Sequence, residues 1–287
     1  MIARLEDLSM WKPTISTSFE DETLAYNRVE LSAGSIAANC DYEPGSMVPQ
    51  GPWRAPSSEE IQALSCGDGR EDPGRSVRIF RIPSDLLEDF HKLAALDGVT
   101  QKEIRTITGS KVARAIFAQF NRFAASVPGI NGRLPADQIK GGFCVKEPDL
   151  KTVTVNPQSA YFMGLHVDNW FRLPLGGRAQ SPVRICANFG WCDRFLLFLN
   201  VAVDDIHMTR MVEMPDGKSI DWGSEIANVS GLTALGRTFL RTFDDHPITR
   251  IRVKPGEAYI APTENMVHDA STESGSALDV SCHINPQ

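Results

Sequence analysis

The spacing of apolar positions changes partway along the chain, and the change divides it. Over the first 60 residues the apolar positions follow no clear period. Asp41 to Ser58 carries Pro44, Pro49, Pro52 and Pro56 with Gly45 and Gly51, which predicts a loop or lid-like segment rather than a regular element. A short strand is expected at Val77 to Ile82. Leu86, Phe90, Leu93 and Ala94 then share one helical face, with Ser84 or Asp85 as the cap and Gly98 as the stop. A second amphipathic helix is expected from about Gln101 to Ser126. Val112, Ile116, Phe120 and Phe123 form its apolar stripe, and Val127-Pro128-Gly129 ends it.

From Lys151 onward the texture is that of an antiparallel β protein. Thr152 to Val155, Tyr161 to Val167, Val183 to Phe189 and Phe195 to Val203 are β-branched or aromatic runs parted by Gly, Pro and Asn. Asp204 to Pro247 interrupts them with a turn at Met214-Pro215-Asp216-Gly217 and a short helix near Leu232 to Phe243. Strands resume at Arg250 to Val253, Ala258 to Ala261 and Leu278 to His283. There is no internal repeat. The expected fold class is mainly β with flanking helices (α+β): helices first, then an antiparallel barrel or sandwich. The expected organisation is a single domain, 1–287, with a loop and helical portion over 1–150 and a β core over 151–287 carrying an insertion at about 204–247.

Composition narrows the function. A chain of 287 residues with 42% hydrophobic and 23% charged residues can bury a full core and reads as soluble and globular. A net charge of −7 without Lys/Arg clusters argues against nucleic acid and anionic membranes as partners and leaves a small molecule as the expected one. Runs such as Phe195 to Val203 are too short to span a bilayer. Met1 to Lys12 has no basic start followed by an apolar run, so no secretory signal is expected. The six cysteines include no CxxC pair and read as free thiols in a reducing, cytoplasmic compartment.

Two segments carry candidate chemistry. In Gly164-Leu165-His166-Val167-Asp168 the alternation of a strand aims His166 and Asp168 to the same side. In Lys254-Pro255-Gly256 through Pro262 to His268, a Pro-Gly turn leads into an apolar strand, a second turn and a histidine entering the next strand. An HxD pair alone is a weak signal. The distal histidine, behind strand and turn context, strengthens it. Two imidazoles and one carboxylate on one side of a metal leave positions open for other ligands, as in non-haem iron(II) oxygenases, so His166, Asp168 and His268 are the expected metal ligands and catalytic residues.

With these residues in place, the chain resembles the double-stranded β-helix, or cupin-type, iron(II)/2-oxoglutarate-dependent oxygenases over roughly Val153 to Ile284. The resemblance implies a jelly-roll barrel with helices packed outside it and iron(II) at its mouth. It also implies 2-oxoglutarate and O₂ as co-substrates, decarboxylation to succinate, and oxidation of a C–H bond in a second molecule, such as an amino acid or biosynthetic intermediate. The halogenases of that superfamily lack the carboxylate ligand. Asp168 is present, which points to hydroxylation as the default outcome, with desaturation, ring closure and epimerisation open.

Many members of the superfamily carry a basic residue after the distal histidine to pair with the far carboxylate of 2-oxoglutarate. Here Asp269 to Gln287 holds no Arg or Lys, and the last strand offers Asp279, Ser281 and His283. Arg184 shares a strand face with Cys186 and Asn188 and is the candidate replacement. Arg172, Arg178, Arg194, Arg250 and Arg252 compete with it. Two further readings stay open: an iron oxygenase without 2-oxoglutarate, and a metal-binding barrel without redox chemistry. Asn169, Trp170 and Arg172 are placed near the mouth, whereas His91, His207, His246 and His283 read as structural. The Asp204 to Pro247 insertion and Asp41 to Ser58 would be its natural covers.

Overall fold

Alternation along Val183 to Phe189 gives one strand two different faces, and the same two-sidedness repeated in its neighbours stacks the molecule into layers. The computed structural model describes residues 13–20, 26–65, 72–94, 101–127, 139–208, 211–213, 219–221 and 232–286. Its N-terminal part holds strands β1 (Ser16–Phe19), β2 (Val29–Leu31), β3 (Ser35–Ala37) and β4 (Met47–Pro49), helix α1 (Ser58–Leu64) and strand β5 (Ser76–Arg81). Helices α2 (Ser84–Leu93), α3 (Gln101–Thr108) and α4 (Lys111–Ser126) follow. Next come β6 (Ile139–Lys146), a 3₁₀ turn at Leu175–Gln180, β7 (Arg184–Asn188) and β8 (Arg194–Ala202). Helix α5 (Val203–Met208), the pair β9 (Met211–Glu213) and β10 (Ser219–Asp221), and helix α6 (Leu232–Thr242) lead to the last strands. These are β11 (Ile248–Val253), β12 (Glu257–Ala261), β13 (Met266–Ser271) and β14 (Asp279–Pro286).

Two main sheets result. The larger runs β1-β5-β12-β7-β14-β6, antiparallel except for the parallel β1/β5 edge. The smaller runs β13-β8-β11-β2, antiparallel throughout. Cys186 and Tyr259 from the larger sheet and Leu196, Phe198, Ile251 and Met266 from the smaller one share a core cluster, so the sheets face one another. The other face of the larger sheet (Ile185, Ala187, Val280, Cys282) packs against Phe90, Ile116 and Phe120 of α2 and α4. The other face of the smaller sheet (Leu197, Leu199, Val267) packs against Leu235, Phe239 and Leu240 of α6. Burying each such side chain stabilises the fold by about 1.5–3 kcal/mol, and Phe120→Ala would lose about 3–5 kcal/mol. The architecture is a mixed arrangement of sheets and helices, and no sheet closes on itself among the described residues. No helix among them is long and apolar enough to cross a membrane.

Several sequence expectations need correction. The first 60 residues, whose apolar positions follow no period, contribute four short strands and the start of helix α1. Asp41 to Ser58 is not wholly a loop: β4 lies within it, pairs with β3, and offers Met47 O to the Leu165 N–H at 2.9 Å. The expected helix 101–126 breaks at Gly109-Ser110, where Ser110 caps α4 by accepting the Ala113 N–H. Val112 therefore falls in the first turn of α4, 52% exposed, and Ala113, Ile116, Phe120 and Ala124 form the buried stripe instead. Neither Ser84 nor Asp85 caps α2, whose N-cap is Pro83. Thr152 to Val155 and Tyr161 to Val167 make isolated bridges, not strands. Helix α6 of the insertion forms an outer layer on the smaller sheet. Gly98, Pro128, Gly129 and the 214–217 turn lie outside the described residues.

Candidate metal centre

The centre is built by one backbone pair. His166 donates its N–H to His268 O at 3.0 Å, and His268 donates back to His166 O at 2.8 Å. Directly paired residues on one sheet face sit side by side, and the two imidazole centroids are 4.7 Å apart. Two positions on, the Asp168 N–H donates to Thr263 O at 3.1 Å, which returns the carboxylate to the same side. The chain enters this pair through Gly164 at φ +65, where a Cβ would stand 2.6 Å from Met47 O. Glycine is required there on both counts.

Ring orientation is fixed from behind. His166 Nδ1–H donates to Gly164 O at 2.9 Å and His268 Nδ1–H to Met266 O at 3.1 Å. Each bond sets the tautomer and leaves Nε2 with a free lone pair. His166 Nε2 is 3.8 Å from Asp168 Oδ1, and His268 Nε2 is 3.7 Å from Asp168 Oδ2. These gaps are too long for hydrogen bonds. They suit atoms sharing one cation, since ligands each about 2.1 Å from a metal lie about 3–4 Å apart. His268 Nε2 is buried without a hydrogen-bond partner. The three ligand atoms lie within 4.8 Å of one another, and the cluster could hold a divalent metal such as iron(II).

Electrostatics favour the ligand forms. Burial alone would raise the Asp168 pKa, but Arg184, the two imidazoles and a hydrogen bond from Thr263 together hold it well below the usual carboxylate range. Burial pushes His268 down to about 3, with Asp168 opposing, so its imidazole is neutral near pH 7.

Supports surround the cluster. Buried Arg178 donates to Asp168 O (3.3 Å), Glu264 Oε2 (3.0 Å) and Asn169 Oδ1 (2.6 Å), while Glu264 Oε1 accepts the Phe171 N–H at 2.8 Å. The Asp168 segment is thereby tied to the turn ahead of His268. Asp269 Oδ1 accepts from Thr154 Oγ1 at 2.8 Å and from the Val153, Thr154 and Ala270 N–H groups. Sequence reasoning missed both supports.

Arg184 does face inward beside Cys186, and its Nη1 meets Asp168 Oδ2 at 3.2 Å. It also lines a cavity of about 350 Å³ bounded by β6, β14, residues 153–155 and the start of β8. Lys146, Arg194, Ser281 and His283 share that lining. His283 therefore belongs to the site region, with Nδ1 3.1 Å from Arg184 Nη2 and Nε2 2.8 Å from Ser281 Oγ. The alternation of Asp279, Ser281 and His283 on the last strand was its available signal. Of the other competing arginines, Arg250 pairs with Glu30 and Glu273, Arg252 pairs with Asp193, and Arg172 is exposed. Trp170 is 52% exposed, His246 is buried against Asn200, and the His207 side chain lies outside the described residues.

No protein-family model matches the chain, and no curated protein shows significant similarity to it.

Proposed function

We propose that this protein is a non-haem iron(II) oxygenase of the double-stranded β-helix kind that uses 2-oxoglutarate and O₂ to oxidise, by default hydroxylate, a small molecule. The carrying observation is the His166–Asp168–His268 cluster, whose ligand atoms lie within 4.8 Å of one another beside a cation-lined cavity. The donor set suits iron(II), needs no thiolate, and leaves positions open. When bound, iron with 2-oxoglutarate and O₂ supplies the oxidising power, and the 2-oxo acid leaves as succinate and CO₂.

The chain's own residues do the rest. His166, Asp168 and His268 hold the metal, each histidine oriented by the carbonyl two residues before it. Arg184 stands at the junction of the cavity and Asp168, where it attracts an anionic co-substrate toward the metal. The two sheets facing one another across a shared core support the jelly-roll reading, and 1–287 would act as one domain. A cytoplasmic setting suits the free thiols Cys40, Cys144, Cys186, Cys192 and Cys282.

The test is an anaerobic visible spectrum of protein with iron(II) before and after 2-oxoglutarate. A weak charge-transfer band that appears with the co-substrate and is absent in Asp168→Ala supports the reading. Iron binding without any band would remove 2-oxoglutarate and favour an oxygenase that works without it.

A further inference from the structure

One imidazole stands among the cations beside the metal centre. His283 lies on β14 directly opposite Cys186 of β7, one diagonal step from Arg184 and within reach of a long side chain. Strand alternation puts Arg184 and Cys186 on one face of β7, and Arg184 Nη2 meets His283 Nδ1 at 3.1 Å.

The partner fixes the roles in that bond. A guanidinium only donates, so Nδ1 accepts and the ring proton sits on Nε2. Nε2–H then faces Ser281 Oγ, 2.8 Å away, with Cys186 Sγ at 3.8 Å. The setting favours the neutral ring that this bond requires. Burial, and then the charges of Arg184, Arg194 and Lys146, hold the His283 pKa well below the usual histidine range.

The chain of contacts ends at the metal centre. Arg184 Nη1 donates to Asp168 Oδ2 at 3.2 Å. Arg184 Nε is buried with no hydrogen-bond partner among the described residues, so Asp168 and His283 hold the guanidinium between them. A free Arg side chain carries about 2 kcal/mol of rotamer entropy, and a second fixed contact offsets part of what is lost when it is ordered.

We propose that His283 is a positioning residue that accepts from Arg184 and keeps that guanidinium on the Asp168 carboxylate, which orients the carboxylate toward the two imidazoles. This rests on the reading of His166, Asp168 and His268 as a metal centre, and it gives the last strand a part in that centre. His283 acts only through Arg184.

Two variants separate this role from a structural one. His283→Asn keeps an acceptor near the position of Nδ1, and with it the Arg184 contact. His283→Gln places its amide near the position of Nε2, and keeps only the Ser281 contact. Iron(II) affinity of the full-length, metal-free protein is read by anaerobic calorimetry. His283→Asn should bind iron as the wild type does. His283→Gln retains the Arg184 charge but loosens its position, so it should bind iron about 10-fold more weakly, the low end for loss of a support behind a metal ligand. In the Arg184→Met background His283→Gln should change the affinity no further, because the contact it breaks is already gone. Wild-type affinity in His283→Gln overturns the proposal, and so does an undiminished further loss in the Arg184→Met background. Should the variants fail to fold, the wild type decides. Nitrogen-15 NMR of the metal-free protein labelled in histidine should show His283 neutral near pH 7 with its proton on Nε2, and a proton on Nδ1 overturns the proposal. If the wild type binds no iron, the metal-centre reading itself fails and this inference fails with it.

Discussion

His166 and His268 exchange both backbone hydrogen bonds, at 3.0 and 2.8 Å, so the two imidazoles are paired by main chain before any metal arrives. Asp168, two residues on from His166, joins them through its N–H bond to Thr263 O at 3.1 Å. The candidate metal centre is therefore preorganised by the backbone, and its vulnerability lies in the contacts that hold those segments together.

Arg178 is the first such contact. It links Asp168 O, Asn169 and Glu264 in a buried position. Arg178→Met leaves Glu264 as a buried charge without its partner, which costs about 3–5 kcal/mol. Urea denaturation of the metal-free protein should show a loss of that size. Metal affinity should fall about 10–100-fold, as when the support of a ligand is removed. A variant with wild-type stability and metal affinity would show that the clamp is dispensable.

Asp269 follows His268 directly yet points away from the metal, into the 153–154 segment. Asp269→Ala strands the Val153 and Thr154 N–H groups and the Thr154 hydroxyl. At about 1–3 kcal/mol for each buried group left unmet, a loss of about 3 kcal/mol is expected overall. Chemical denaturation measures it, and amide hydrogen exchange at Val153 and Thr154 should quicken in the same variant.

His246 carries a pH dependence separate from the metal. Burial holds its pKa down at about 4, against about 6.5 in the unfolded chain. The unfolded state binds the extra proton between those values, so stability rises with pH across this window. The contribution is fully present above pH 6.5 and is lost as pH falls toward 4. Between pH 7.5 and pH 5 the protein should lose about 2 kcal/mol from this residue. His246→Gln keeps a donor for Asn200 Oδ1, which His246 Nε2 reaches at 3.0 Å, and removes the titration. Its urea midpoint should shift less between these two pH values than that of the wild type.

The clustering of His166, Asp168 and His268 was legible in sequence because it depends on local rules: an i, i+2 spacing, a Pro-Gly turn and a strand leading to His268. Strands β8, β11 and β12 were legible for the same reason, each carrying β-branched or aromatic residues, and β7 was legible through Ile185 and the flanking Val183 and Phe189. Strands β1 to β4 were not, since three or four residues hold too few alternations to register as a period. Strand β6, Ile-Lys-Gly-Gly-Phe-Cys-Val-Lys, hides behind two glycines, and Gly141 is there because a Cβ would meet His283 O at 1.9 Å. Arg194 stood among six candidate arginines. Only the cavity shared by β6, β14 and the start of β8, which Arg184 also lines, sets it apart from Arg172, Arg178, Arg250 and Arg252, and that depends on contacts between segments remote in sequence. The clamp role of Arg178, another of the six, was likewise invisible, because its partner Glu264 lies on a remote turn.

The reading stands or falls on whether His166, Asp168 and His268 hold one metal ion together. Anaerobic calorimetric titration of iron(II) into metal-free protein tests it most directly, with His166→Ala, Asp168→Ala and His268→Ala measured alongside and circular dichroism confirming that each is folded. Saturation is expected at about one ion per chain, as a single three-ligand site requires, with loss of that site in every variant. Undiminished iron binding in all three folded variants would contradict it.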